Sequence, residues 1–166
     1  GYCAPYGDSP INGKAVGEDV YLNLINSAED CIYITTPYLI ITDEMSRALT
    51  NAAKKGIDVR IVLPGIPDKR LIYAISRSYY AQLLRAGVRI YEYSPGFLHS
   101  KQVLVDYRMA TVGTINFDYR SFYHHFENGV LIYESPCIFD MADDFYELFR
   151  TSREVSRDWD EKRIIF

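Results

Sequence analysis

Apolar positions along the chain switch between helical and extended spacing, and the switching predicts a layered fold. After the paired acids Glu18 and Asp19, which favour a helix start, Val20, Leu24 and Ile25 share one side of a helix over residues 18–28. CIYIT (31–35) reads as a buried strand stopped by Pro37. Thr42 or Asp43 caps a helix running to Lys55, and Gly56 supplies the left-handed residue that ends it. DVRIVL (58–63) is a second buried strand, closed by Pro64 and Gly65. Asp68 caps a longer helix over 69–86, on which Leu71, Ile72, Ile75, Tyr79 and Leu83 form an apolar face and after which Gly87 terminates. VRIYEY (88–93) is the third strand.

Strands separated by helices pair in parallel through right-handed crossovers. Beyond Ser94-Pro95-Gly96 the pattern changes, because KQVLVD and MATVGT are joined by only Tyr107 and Arg108, a hairpin spacing. NGVLIY (128–133) adds a strand, and Ser135-Pro136 opens a closing helix to Arg150 with Ala142, Phe145 and Phe149 facing inward. The expected class is α/β, an α/β/α sandwich with a mixed, mainly parallel sheet. GYCAPYGDSP (1–10), rich in turn formers, reads as a lead-in loop or a boundary. Residues 11–157 read as one domain and 158–166 as a tail.

At 166 residues, 48% hydrophobic and 24% charged, the chain can build its own core and is not a disordered or staple-dependent scaffold. The longest apolar stretch, CIYITTPYLII (31–41), is too short and too broken to span a membrane, and no signal peptide is visible. A net charge of −4 disfavours bulk nucleic-acid binding. Cys3, Cys31 and Cys137 are odd in number and lack C-x-x-C spacing, which reads as reduced, structural cysteines.

The chemistry concentrates in one stretch: His99, Lys101 and Asp106, then Gly113, Thr114 and Asn116, then Glu127. Residues two apart on an extended chain share a face, so the His99 imidazole and the Lys101 ammonium project together. That pair suits a phosphate, the ammonium as a point charge and the imidazole as nucleophile or proton carrier. Gly113 lets backbone approach an anion, and Thr114 and Asn116 offer donors for developing negative charge.

The spacing HxKx4Dx6GxxN resembles the motif of the phospholipase D superfamily, and its chance occurrence in a chain this long is on the order of 10⁻⁵ to 10⁻⁴. ITTPYLIITDEM, LPGIPDK, RSYYAQLL, VRIYEYSPGFLHSK and GTINFDYRSFYHHFENG are similar to the carboxy-terminal half of bacterial cardiolipin synthases, from about Pro5 to Arg157. The resemblance implies a metal-free and cofactor-free two-step transfer, with one histidine forming a phosphohistidine and a second handling the proton of the leaving and then the accepting glycerol oxygen. It implies phosphatidylglycerol as substrate and cardiolipin plus glycerol as products. His99 is then a catalytic histidine, and Lys101 and Asn116 bind phosphoryl oxygens. Thr114 stands at a hydroxyl position, and Glu127 is the orienting carboxylate. Asp106, also in the motif, supports the loop rather than touching substrate.

The family builds its site from two such motifs, and this chain carries one. It is either half of a longer synthase, which the flanking similarity favours, or one subunit of a twofold dimer like the single-motif phosphodiesterases and nucleases of the superfamily. A non-catalytic docking fragment is the third reading. In intact synthases the amino-terminal histidine is the usual nucleophile, which points His99 toward general acid–base work, although sequence leaves the two roles open. Membrane attachment of the full-length protein on the cytoplasmic side follows from the resemblance, with this segment soluble.

Plainer readings stand beside these. Glu127 could pair with Arg120, and Asp106 could merely begin a turn. His124 and His125 point to opposite faces and read as loop residues; Asp140, Asp143, Asp144 and Glu147 read as a solvated face. Arg70, Arg77 and Arg85 form a stripe, solvated by default, or in the sharper reading a contact for anionic headgroups. The 15 tyrosines read as core and rim residues of an aromatic-rich fold, with an interfacial belt as the sharper alternative.

Overall fold

A strand without polar alternation needs both faces covered, and CIYIT obtains that cover. In the computed structural model, which describes residues 1–11 and 13–159, Cys31–Thr35 (β2) is buried throughout. Ile32 and Ile34 enter one core and Cys31 and Tyr33 the other. In chain order the elements are β1 (Tyr2–Asp8), α1 (Val16–Ser27), β2, β3 (Leu39–Ile40), α2 (Asp43–Lys54), β4 (Asp58–Pro64), α3 (Arg70–Ser78) and α4 (Tyr80–Ala86). They continue with β5 (Arg89–Tyr93), β6 (Gln102–Val105), β7 (Met109–Gly113), β8 (Phe117–Asp118), α5 (Tyr119–Tyr123), β9 (Glu127–Tyr133), α6 (Cys137–Thr151) and β10 (Ser152–Glu154).

The main sheet has the order β1-β9-β7-β6-β2-β4-β5-β10. The mixed α/β sandwich is as expected, but the parallel pairings are confined to β2–β4 and β4–β5, and the remaining neighbours pair antiparallel. The tight hairpin of β6 and β7, joined by residues 106–108, and the antiparallel seating of β6 beside β2 begin the difference, because so short a link cannot return a strand in parallel. On one face α1, α2 and α4 bury Leu24, Leu49 and Leu83 against Ile61, Val103 and Val105. On the other, Ile138, Ala142 and Phe145 of α6 close over Tyr33, Leu104 and Ala110.

Several expectations change. Residues 1–10 are not a loop, since β1 pairs antiparallel with β9 from Tyr2↔Tyr133 to Asp8↔Glu127. Pro5 is tolerated there because β1 is an edge strand, bonded on one side only. The helix expected over 69–86 is divided at Tyr79. The Ser78 hydroxyl donates to the Ile75 carbonyl (2.7 Å), and the Tyr79 N–H turns to Ser76 instead (3.3 Å). Asp68 does not cap α3, since its carboxylate accepts from the Tyr38 hydroxyl (2.6 Å). Thr42, rather than Asp43, caps α2 by accepting from the Met45 N–H (3.1 Å). The Ser135 side chain does not cap α6. Of the tail at 158–166, Trp159 packs against Tyr80 (5.4 Å between rings) and under the Arg77 guanidinium; residues 160–166 lie outside those described. The arginine stripe is broken as well, because Arg77 turns inward to Glu92 (3.4 Å).

Candidate active site

The register of three strands assembles the site. Gln102 pairs with Thr35 and with Val112, and Gly113 pairs with Gly129. His99 and Lys101, just ahead of β6, therefore lie at the same sheet end as the loop after β7 and the start of β9. The Gly113 N–H donates to the Lys101 carbonyl (3.3 Å), and Thr114 exchanges bonds with Asn128 across the gap (2.9 and 3.1 Å). The loop 114–116 is pinned from below, with the Tyr21 hydroxyl donating to the Ile115 carbonyl (2.7 Å) and the Phe117 N–H to the Thr36 hydroxyl (3.1 Å).

An open cleft of about 450 Å³ results, lined by His99, Ser100, Lys101, Val112, Gly113, Thr114 and Asn116. Lys101 is 8% exposed, whereas His99 stands in the open. The Lys101 ammonium donates to His99 Nδ1 (3.1 Å) and to the His99 carbonyl (2.6 Å), and among the described residues it has no carboxylate within ion-pair distance. Burial pulls its pKa below 10.5, and the more distant Glu127 and Asp118 carboxylates only partly offset this. A buried cation without a counter-charge is a site prepared for an anion. The Asn116 Oδ1, an acceptor, is buried without a hydrogen-bond partner among the described residues.

Two of the sequence-named residues sit elsewhere or do something else. The Asp106 carboxylate, at the far end of β6, accepts the backbone N–H groups of Glu29, Asp30 and Cys31 (2.8, 2.9 and 2.8 Å), fastening the α1–β2 turn. Glu127 reaches neither His99 nor Arg120. Its carboxylate accepts the Thr114 hydroxyl and faces His125 Nδ1 (3.6 Å). The sequence reads His125 as a plain loop residue and gives no role to Phe97, whose ring stacks on His99 (5.6 Å, 29°). Both stand two residues before a site residue, so extended-chain alternation was the available signal.

The comparisons with known proteins carry this geometry to a family. Residues 21–150 match the family model described as cardiolipin synthase, PLD-like domain. The chain belongs to this family. As a PLD-like domain it is 46% identical over 154 residues to cardiolipin synthase 2 of Bacillus cereus, covering 93% of this chain and 30% of that protein. It is 43% identical over 139 residues to the cardiolipin synthase of Halalkalibacterium halodurans, covering 83% and 28%. The PLD-like domain thus spans about 30% of the length of the curated relatives it matches. Among solved structures it superposes on Nuc from Salmonella typhimurium, a phospholipase D family member, with TM-score 0.76 at 21% identity, covering 93% of this chain and 99% of that one. The phosphatidylserine synthase of Haemophilus influenzae gives TM-score 0.76 at 18% identity, covering 92% and 40%. At those identities the likeness is one of fold.

Burial of the ammonium makes stability depend on pH. The folded-state pKa of Lys101 is lowered, so between it and 10.5 the unfolded chain binds more protons, and stability rises as pH rises through that window. Lys101→Met is expected to remove this rise and to stabilise the chain near neutral pH by on the order of 1 kcal/mol. Inorganic phosphate is expected to raise the Tm of the wild type and not of the variant. Thermal melts from pH 7 to 11, with and without phosphate, measure both effects.

Proposed function

We propose that this PLD-like domain is one catalytic lobe of a phosphatidyltransferase that condenses two phosphatidylglycerols into cardiolipin and glycerol, and that a second lobe bearing its own histidine and lysine completes the site. The supporting observation is the pairing of a buried, uncompensated Lys101 ammonium with an exposed His99 ring at an open cleft. The relatives named cardiolipin synthase, of which the chain spans under a third, support the lipid and the missing lobe.

To donate to a leaving oxygen the His99 ring must be an imidazolium, protonated on both nitrogens; Lys101 then keeps its bond to the His99 carbonyl (2.6 Å), and its contact to Nδ1 belongs to the neutral ring. In the first step a histidine nitrogen of the other lobe bonds to phosphorus, the phosphorus–glycerol oxygen bond breaks, and the His99 imidazolium gives that oxygen its Nε2 proton, becoming neutral. In the second step His99 takes the proton of the acceptor's glycerol hydroxyl, whose oxygen bonds to phosphorus as the phosphorus–nitrogen bond breaks. Lys101 and the Asn116 side-chain N–H groups hold the phosphoryl oxygens throughout, where charge accumulates, while Thr114 gives its one hydroxyl proton to Glu127. Whether water or glycerol reaches the intermediate first decides between hydrolysis and transfer.

The test is lipid product analysis on the PLD-like domain alone and on a protein carrying both lobes, supplied with phosphatidylglycerol dispersed in detergent. The domain alone is expected to turn over at least about 10³-fold more slowly, because one of two histidines is missing. The two-lobed protein is expected to yield cardiolipin. The match to 99% of the Nuc chain favours a second reading, a twofold dimer acting as a phosphodiesterase. Full activity of the isolated domain, eluting as a dimer, would replace the first reading with the second.

A further inference from the structure

The apolar face assigned to the helix over 69–86 does not enter the core along its first half. In α4, Tyr80, Leu83 and Leu84 are buried, but α3 buries only Ser76. Leu71 (67% exposed) and Ile75 (36%) lie one helical turn apart on the outside, and Ile66 (51%) joins them from the preceding loop. An amphipathic helix that keeps its apolar residues in water needs another apolar partner.

The charges around this face indicate which partner. Lys69 and Arg70 are exposed beside Leu71 and make no ion pair with any described residue. Asp68 is engaged with the Tyr38 hydroxyl. In a chain of net charge −4, this is a local basic spot next to a greasy one. The face also opens on the side of the cleft. β4 delivers the chain to α3 from the end of the sheet at which Val62 pairs with Thr35 and Thr35 with Gln102. The Leu39 N–H donates to the Ser76 hydroxyl (3.1 Å), fixing α3 on β3, and β3 pairs with β8, which directly follows Asn116.

The geometry points to α3 and its leading loop as the element on which the protein rests on an anionic lipid surface. Ile66, Leu71 and Ile75 enter the acyl boundary, and Lys69 and Arg70 meet headgroup phosphates. This deepens the proposed function, on which it rests for the identity of the substrate, by giving a diester lipid a short path from bilayer to cleft. It replaces the arginine stripe, since Arg77 is committed to Glu92.

The test measures co-sedimentation with vesicles of phosphatidylcholine, alone or mixed equally with phosphatidylglycerol. The wild type is expected to bind the mixed vesicles in preference to the neutral ones. The double variant L71E/I75E is expected to bind at least about tenfold more weakly with an unchanged Tm, and K69S/R70S to lose the preference for phosphatidylglycerol. In the two-lobed protein, L71E/I75E leaves turnover of a short-chain, fully dispersed phosphatidylglycerol as in the wild type. His99→Gln abolishes that turnover and leaves vesicle binding intact, so the two proposals fail separately. Undiminished vesicle binding by L71E/I75E overturns the assignment. So does a change in oligomeric state without a change in vesicle binding, which would make this face a contact between copies.

Discussion

Replacing His99 by Gln in the two-lobed enzyme is expected to cut cardiolipin formation by roughly 10³-fold or more while leaving Tm within a degree or two. The side chain is exposed, so little packing is lost. Glutamine keeps a polar group of similar reach in the bond from Lys101 but cannot carry a proton to and from the leaving oxygen. The acid role makes a sharper demand. If the His99 imidazolium supplies the proton, its loss hurts most when the leaving group needs one. A phosphatidyl ester with p-nitrophenol as leaving group needs none, and on it the variant is expected to lose only about tenfold. Equal losses on glycerol and p-nitrophenol esters would instead make His99 the nucleophile, because then no intermediate forms with either.

Legibility in the sequence followed the physical range of the interactions. Elements whose signal is local were placed well: the caps at Thr42 and Gly87, the buried β2 and the hairpin of β6 and β7. Elements whose existence depends on a distant partner were not. β1 contains Pro5 and Gly7 and carries no strand signal of its own; it is a strand because β9 offers it an edge. The two-residue pair β3–β8 and the three-residue β10 are likewise products of tertiary contact. The helix over 69–86 failed differently. Its apolar periodicity is present, but periodicity states only that one face is apolar, and Leu71 and Ile75 show that such a face can point away from the core.

The candidate site divides along the same line. His99 and Lys101 are legible together because two residues of extended chain fix their common side, whereas the supporting role of Asp106 is legible only through the family resemblance. Glu127 was legible as a site residue and not as to its contact. The side chain it engages, Thr114, is set by the β7–β9 register, which no local pattern encodes. The unpartnered Asn116 Oδ1 and the buried Lys101 ammonium with no ion pair among the described residues also emerge only in three dimensions, since both are statements about what is missing nearby.

Gly113→Ala is expected to destabilise the domain by about 3–5 kcal/mol and to abolish the phosphate-dependent rise in Tm. A Cβ at this position would lie 2.2 Å from the Asn128 carbonyl oxygen and 2.6 Å from the Gly129 Cα. Both atoms belong to the β9 backbone, so no side chain can swing aside, and β7 and β9 must part by about 1 Å to restore ordinary contact. Parting them strains the exchange between Thr114 and Asn128 (2.9 and 3.1 Å) and the bond from the Gly113 N–H to Lys101 (3.3 Å), each contributing about 1 kcal/mol. At this chain length the loss corresponds to a fall in Tm of roughly 6–20 °C. The chemical consequence exceeds the thermal one, because this close approach sets the β7–β9 register that places Thr114 and the Glu127 carboxylate it engages at the same sheet end as His99 and Lys101. Gly96→Ala is the control: it too lies near the site, but its added Cβ meets nothing within 4 Å, and its Tm and phosphate response are expected to match the wild type. Calorimetry of the three proteins with and without phosphate decides the matter, and a Gly113→Ala variant melting within 2 °C of wild type would show that the gap between β7 and β9 does not hold the two halves of the cleft in place.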